Sequence, residues 1–494
     1  MMESTDLLIV GAGPAGMAAA VAARKLGLSV IVVDENSEPG GQIYRRVLSN
    51  AARAQRARLL GPDYLAGRAL AESFMASGAI FRPQTTVFEI ANDGSASLLG
   101  PSEGGYVVRA GAVMIATGAY ERALPMPGWT LPGVMTAGAA QTMLKTSGQI
   151  PSGPVVLAGG GPLLWYVAAQ LRGAGAQVSA VLSFTPLGSY LRHAGAALGA
   201  WRNAADLVKG ARWMAGMHLG DCQVRHGVRL TGITGSAPQL QLHYQAGGAS
   251  HVAEAATVLL HADVIPNIQA SKSLGLEHDW DPARHCWQPR LDPWGVSSCP
   301  AILVAGDGAG IAGAKDAARG GTLVALGLAA RLGLISSEQR DDQAAPLLAE
   351  RAHERRLRAY FDQLFAPPPW IRVPADDATM VCRCEAVTAD EIRAAARLGA
   401  HGPNQVKAYV RAGMGACQGR MCAQTVAAVI ADELGIPAEQ VPTQRVRPPL
   451  KPVHLGDLAA MDLGADGWTG RSANETLLHA PFVEPTAADR AKLH

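Results

Sequence analysis

The stretch Leu7-Leu8-Ile9-Val10-Gly11-Ala12-Gly13-Pro14-Ala15-Gly16 decides the fold. Its four apolar residues predict a buried parallel strand. The glycine-spaced turn opens an alanine-rich helix that ends near Gly27. A second apolar run, Ser29–Val33, then ends at Asp34 and Glu35. Strand, Gly-x-Gly-x-x-Gly turn, helix, strand and acid is a complete dinucleotide-binding unit in the right order. Gly11, Gly13 and Gly16, with Pro14 and Ala15 between them, let the backbone approach a pyrophosphate at the helix N-terminus. Asp34, with Glu35 beside it, stands where a carboxylate takes a ribose hydroxyl. The alternative is an ordinary glycine-rich turn.

Segments further along point to FAD as the dinucleotide. Gly40-Gly41-Gln42 follows the second strand. The run Val113–Ile115, with Ala116-Thr117-Gly118 behind it, resembles the crossover strand of flavoproteins that carry two dinucleotide-binding domains. Ala301–Ala305 is a late apolar strand that leads into Gly306-Asp307-Gly308. In those flavoproteins an Asp so placed binds the ribityl–pyrophosphate portion. The helix starting near Gly313 would face the ring and stabilise negative charge on it. A turn-forming Asp307 is the alternative.

A second unit, Val155–Leu157 followed by Gly159-Gly160-Gly161 and a strand over Gln177–Leu182, is inserted between the halves of the first. Its fingerprint is faulty. Leu164 replaces the third small residue and should hinder close helix packing. Leu182 and Ser183 stand where an acid belongs. The fold is expected; occupancy by NAD(P), by ATP or by nothing stays open.

Four of the seven cysteines form two tight pairs, Cys382/Cys384 and Cys417/Cys422. Cys-x-Cys is tighter than structural zinc sites favour, and it suits a [2Fe–2S] cluster in which each pair holds one iron. Zinc on the same ligands is the alternative. Thr388-Ala389-Asp390-Glu391 is a capping box that opens a helix ending at Gly399. Helices are also expected over about Gln405–Arg411 and from Cys422 to Gly435. Amides near Gly413, Gly415 and Gly419 can donate to the sulfurs, and Arg383 and Arg420 should offset the cluster's charge. The charged segment Ala345–Phe365 predicts a solvated connecting helix. Pro367–Trp370 predicts a stiff linker, and the Pro-rich run from Arg445 an extended arm with a disordered end.

Over 494 residues the net charge is +2, which gives no electrostatic case for nucleic acid. The acidic start has no basic leader region, and no apolar run is long enough to span a bilayer. Cys222, Cys286 and Cys299 are scattered, which points to a reducing cytoplasm and against a thiol pair beside the flavin. Peripheral membrane attachment stays open. His193, His261 and His285 read as isolated structural residues.

The cluster region resembles bacterioferritin-associated ferredoxin domains, but four residues rather than two separate Cys417 from Cys422. Cys417-Gln418-Gly419-Arg420-Met421-Cys422 looks instead like the α (or A) subunits of opine oxidases. It is also similar to the B subunit of hydrogen cyanide synthase and to related amino-acid dehydrogenases. Gly40–Arg45, Ala116–Arg122, Pro127–Met135 and Arg447–Pro452 carry the resemblance over nearly the whole chain. The last favours the opine and hydroxyproline dehydrogenase branch.

The resemblance implies an α/β fold with two dinucleotide-binding domains of the pyridine nucleotide-disulfide reductase type and a small helical [2Fe–2S] domain. The expected divisions are 1–122 and 290–340 for the first domain, 123–289 for the inserted one, 341–375 for the connector, 376–440 for the cluster domain and 441–494 for the arm. The implied enzyme is heteromeric. A β subunit similar to glycine or sarcosine oxidases would oxidise a C–N bond. An FMN at the subunit interface could pass electrons to this chain, and the cluster would deliver them to a respiratory or other acceptor. An NAD(P)H-dependent ferredoxin-type reductase and a scaffolding protein are the rival classes.

Overall fold

The computed structural model describes residues 3–101, 104–193 and 204–461. The first strand, Glu3–Val10, lies between Val30–Val33 and Gly104–Ile115, parallel to both; Val30–Val33 pairs in turn with Ile80–Arg82. All four residues of Val30–Val33 are buried, as a parallel strand covered on both faces requires. The long strand Gly104–Ile115 serves two ladders. Its first half pairs antiparallel with Ser95–Gly100; its second half takes Ile302–Val304 as a parallel neighbour. The late strand therefore returns to the sheet that carries the first fingerprint.

Helix Pro14–Lys25 packs against helix Ala314–Arg331 at backbone contact. A Cβ on Gly321 would fall 2.0 Å from the Ala15 carbonyl oxygen, and one on Gly306 would fall 2.9 Å from the Ala15 Cβ. Small residues let the two helix N-termini share one end of the sheet.

The second domain has a five-stranded parallel sheet in the order Gln223–His226, Gln177–Ser183, Pro154–Gly159, Thr257–His261, Val134–Thr136. A three-stranded antiparallel sheet, Arg229–Ser236, Gln239–Ala246 and Ala249–Ala255, covers it. Leu164 does not hold the helix off. It is fully buried in the core beside Trp165, Val167 and Leu157, so the sheet makes room for the larger side chain.

The charged segment is a correction. Helix Ser337–Leu364 begins eight residues before Ala345, with Ser336 and Gln339 forming a capping box, and it is docked rather than solvated. Arg351 pairs with the buried Asp316 at 2.8 Å, Glu354 with Arg319 at 2.8 Å, and Asp362 with Arg284 at 2.6 Å. A charge pattern on a helix does not reveal that its partners lie on another element. Trp370 then packs edge-on against Phe184 at 4.9 Å.

The cluster module is a small hairpin, Met380–Cys382 with Val387–Thr388, and helices Ala389–Arg397, Pro403–Val410 and Ala423–Leu434. The predicted Thr388/Glu391 capping box is present. Trp129 fastens the hairpin to the second domain by donating its indole N–H to the Met380 carbonyl at 2.7 Å. From Val441 the chain runs back to the first domain. Leu450 N–H reaches the Phe88 carbonyl at 2.6 Å, and Val446 and Leu450 join the first domain's core. The expected arm is described as far as Met461; its predicted disordered end lies outside the described residues. Among the described residues, no helix is long and apolar enough to cross a membrane.

Candidate functional site

The fold gathers the first set of candidates at one end of the first sheet. Asp34 is buried and fully engaged. One carboxylate oxygen accepts from the Ala12 N–H at 2.7 Å, the other from the Asn36 N–H and side-chain amide at 2.8 and 2.7 Å. It braces the fingerprint turn as well as lining it. Glu35 forms an ion pair with Lys451 of the returning segment. Gly41, at φ 60°, lies against the turn, and a Cβ there would meet the Gly13 Cα at 2.9 Å. Gln42 accepts from Arg45 at 3.0 Å, and Arg45 also bonds Asn36. Pro14, Ala15 and Gly16 form the first turn of the helix. Thr117 and Gly118 follow the crossover strand and bond the Asn267 backbone at 3.4 and 2.9 Å. Asp307 accepts from the N–H groups of Ala312 and Gly313, both at 3.0 Å, which fixes the start of helix Ala314–Arg331. Gly306 places it beside Ala15.

No sequence motif marks the buried lysine beside this site. Lys145 is 2% exposed and donates to the Gln42 carbonyl at 3.1 Å and to Gln141 at 3.0 Å. Gln141 continues to Gln170 at 2.6 Å, on helix Gly161–Gly173 behind the second fingerprint. Hydrogen bonds thus run without a break from Asp34 to the second domain. Burial pushes the Lys145 ammonium down to about 7, with Arg45 adding repulsion. Its unfolded value is higher, so the unfolded chain binds more protons between about pH 7 and 10, and stability rises with pH across that window. Glu89, pushed up to about 7 by burial, acts below the window, and Tyr64, pushed up to about 12, acts above it. Lys272, which burial holds down to about 8, adds its own rise in the upper part of the window, so Lys145→Met is expected to lessen the rise without abolishing it, a change on the order of a few kcal/mol at most. Urea unfolding at several pH values checks it; an unchanged slope would show that the lysine is solvated.

His261 is not isolated. Its Nδ1 lies 2.7 Å from Glu121 Oε1, while Glu121 Oε2 accepts from the Gly138 N–H at 2.9 Å at the start of helix Ala137–Ser147. The pair spans 140 residues of sequence, so spacing does not reveal it. Nearby, a cavity of about 110 Å³ opens between the nucleotide-binding domains and the cluster module. Tyr120, Arg122, Lys272, Trp280, Trp287 and Gln424 are among its walls, and Gly419 reaches it from the cysteine loop. His285, another residue that spacing leaves unpartnered, sits in this wall edge-on to Trp280 at 5.9 Å. Arg122 is committed to Asp263 at 2.6 Å. Burial pushes Lys272 down to about 8 and the free Cys286 up to about 12.

The four predicted cysteines converge. Cys382 ends the hairpin strand, Cys384 is exposed in the next turn, Cys417 is half-buried, and Cys422 caps helix Ala423–Leu434. Their sulfurs lie within hydrogen-bonding reach in a chain from Cys382 through Cys422 and Cys417 to Cys384. The Cys422 thiol, and then the N–H groups of Gly413, Glu385 and Cys384, hold Cys382 down to about 6. Cys422, Met421 N–H, Cys384 and Gly419 N–H hold Cys417 down to about 5. No group of three or more His, Cys, Asp or Glu side chains among the described residues has single-ion geometry. Four crowded thiols with amides aimed at them fit an anionic thiolate cluster. Both loops are tightly wound: Ala386 and Gln418 hold positive φ without being glycine. At Gly415 a Cβ would strike the Cys384 Cβ at 2.1 Å, so glycine is what allows the loops to cross. The flanking arginines make contacts that leave their charges in place. Arg383 lies 5.0 Å over Trp129, and Arg420 bonds the Leu450 carbonyl at 3.2 Å.

Two dinucleotide-binding domains joined to a four-cysteine module define the class: an iron–sulfur flavoprotein oxidoreductase. The family described as pyridine nucleotide-disulphide oxidoreductase matches residues 5–321, and the BFD-like [2Fe-2S] binding domain matches residues 380–432. The A subunit of opine oxidase from Agrobacterium tumefaciens (strain Ach5) is 43% identical, over 92% of this chain and 91% of its own length. The HcnB subunit of hydrogen cyanide synthase from Pseudomonas aeruginosa is 32% identical, over 84% of this chain and 90% of its own length. In fold the chain is similar to the crystal structure of L-proline dehydrogenase from P. horikoshii, with a TM-score of 0.66, 17% identity and coverage of 93% and 80%. The chain belongs to the family of opine oxidase A subunits.

Proposed function

We propose that this chain is the electron-relay component of a heteromeric dehydrogenase that oxidises the C–N bond of an opine or amino acid. FAD would be held by Gly11, Gly13, Pro14, Ala15, Gly16, Asp34, Glu35, Gly41, Gln42, Thr117, Gly118, Gly306 and Asp307. A [2Fe–2S] cluster would be held by Cys382, Cys384, Cys417 and Cys422. The substrate site lies in a β subunit with a glycine- or sarcosine-oxidase-like flavin fold. An FMN at the subunit interface and a respiratory acceptor complete the path, while the second fingerprint takes NAD(P) or ATP or stays vacant. One observation carries this reading: the cysteine loop and both nucleotide-binding domains meet around a single cavity. A second supports the division of labour. Gripping an amino-acid carboxylate usually takes an available Arg; of the two arginines in the cavity wall, Arg122 is already neutralised by Asp263 and Arg372 donates to the Pro367 carbonyl at 3.2 Å. The names of the relatives, each one component of a larger enzyme, accord with a multi-subunit assembly.

Co-expression tests it. With an opine or amino acid as donor the isolated chain should reduce no dye, whereas its complex with a β-type subunit should. Substrate-dependent turnover by the isolated chain would overturn the division of labour. Rapid flavin reduction by NADH or NADPH would favour a ferredoxin-type reductase.

A further inference from the structure

Gln444 lies outside the matched [2Fe-2S] domain, twelve residues beyond its end. Yet it is buried against both cysteine loops. Its side-chain N–H donates to the Gly413 carbonyl at 3.1 Å. A Cβ on Gly413 would fall 2.5 Å from its Oε1, and one on Gly419 would fall 2.4 Å from the same atom. Gly413 and Gly419, at φ 85° and 81°, are among the residues whose N–H groups face the Cys382 and Cys417 sulfurs. One amide is thus wedged between the turns that aim hydrogen bonds at a sulfur from each cysteine pair. Its other side forms part of the cavity wall.

The segment that carries Gln444 is tied down at both ends. Asn404 of the cluster module bonds the Thr443 carbonyl at 3.3 Å and the Arg445 N–H at 2.8 Å. Beyond it, Leu450 pairs with Phe88, and Lys451 with Glu35, on the first domain. The position of Gln444 is therefore set by the first domain as well as by the cluster module.

We propose that Gln444 is a positioning residue for the cluster: it locks the two glycine turns, keeps their amides on the sulfurs, and so sets the reduction potential. The inference rests on the cluster assignment above. Hydrogen bonds to the sulfurs favour the more negative reduced state, so loosening them lowers the potential. A carboxylate in the same place lowers it further by repulsion.

The test uses full-length chain purified without air, as wild type, Gln444→Met and Gln444→Glu. Gln444→Met keeps the bulk and removes the amide; Gln444→Glu keeps the shape and adds charge. Both are expected to retain iron, sulfide and flavin, with altered EPR g-values and midpoint potentials shifted negative, Gln444→Glu the more so. A wild-type potential and EPR spectrum in both variants, at full iron and sulfide, would overturn the proposal. Should Gln444→Met fail to load iron, Gln444→Glu decides alone. A wild-type chain without iron and sulfide would instead overturn the cluster assignment, and the inference with it.

Discussion

Cys417→Ser is expected to lose most of its iron, its acid-labile sulfide and the associated visible absorption, while keeping its dinucleotide. The wild-type chain should hold about two irons and two sulfides. Cys417 sits centrally in the sulfur arrangement, within reach of Cys422 and of Cys384, and the Met421 and Gly419 amides help hold it down to about 5. A serine hydroxyl titrates far above a thiol and is a harder, poorer ligand for a cluster iron. The loss should be confined to one module, because the first domain keeps its own core and its own sheet. Cys299→Ser, far from the loops in sequence and half-exposed, is the control and should retain the cluster. Stoichiometric zinc without sulfide in anaerobically prepared wild type would replace the cluster by the zinc alternative.

Gly13→Val is expected to weaken dinucleotide binding at least ~100-fold, about 3 kcal/mol, with the fold intact. The glycines of the fingerprint are not equivalent. A Cβ on Gly16 would fall 1.9 Å from the Gly11 carbonyl oxygen, and one on Gly11 would fall 2.5 Å from the Ala116 carbonyl oxygen. Substitution at either breaks the protein's own packing. At Gly13 the nearest atom to such a Cβ is the Gly41 Cα at 3.8 Å, and φ is an ordinary −76°. The protein tolerates a side chain there; a pyrophosphate lying along the turn does not. Gly16→Val should therefore unfold the domain, and Gly13→Val should only empty it. Thermal unfolding with and without added FAD separates the two. Full-affinity FAD binding by Gly13→Val would remove the first site from the proposal.

Much of this was written locally. The first fingerprint, the late Gly306-Asp307 turn, the Thr388 capping box and the two cysteine pairs depend on residues within one turn or one supersecondary unit, where backbone geometry links spacing directly to shape. The inserted second domain was legible for the same reason. What misled was long-range. Leu164 breaks the small-residue rule of its fingerprint slot locally, and only the sheet that makes room for it renders it harmless. The charged helix Ser337–Leu364 read as solvated because Asp316, Arg319 and Arg284 lie elsewhere in the chain.

The sequence by itself determined the fold class, the placement of two nucleotide-binding units and the four thiols, since each follows from periodicity and spacing over a few residues. Only the tertiary structure decided that Glu121 meets His261, that Lys145 bridges the first site to the second domain, that the cysteine loop opens on a cavity walled by both nucleotide-binding domains, and that the Gln444 side chain packs between the two cysteine loops. Each of these contacts joins distant segments whose meeting is set by the burial of apolar faces, a property of the packed chain that no local pattern encodes.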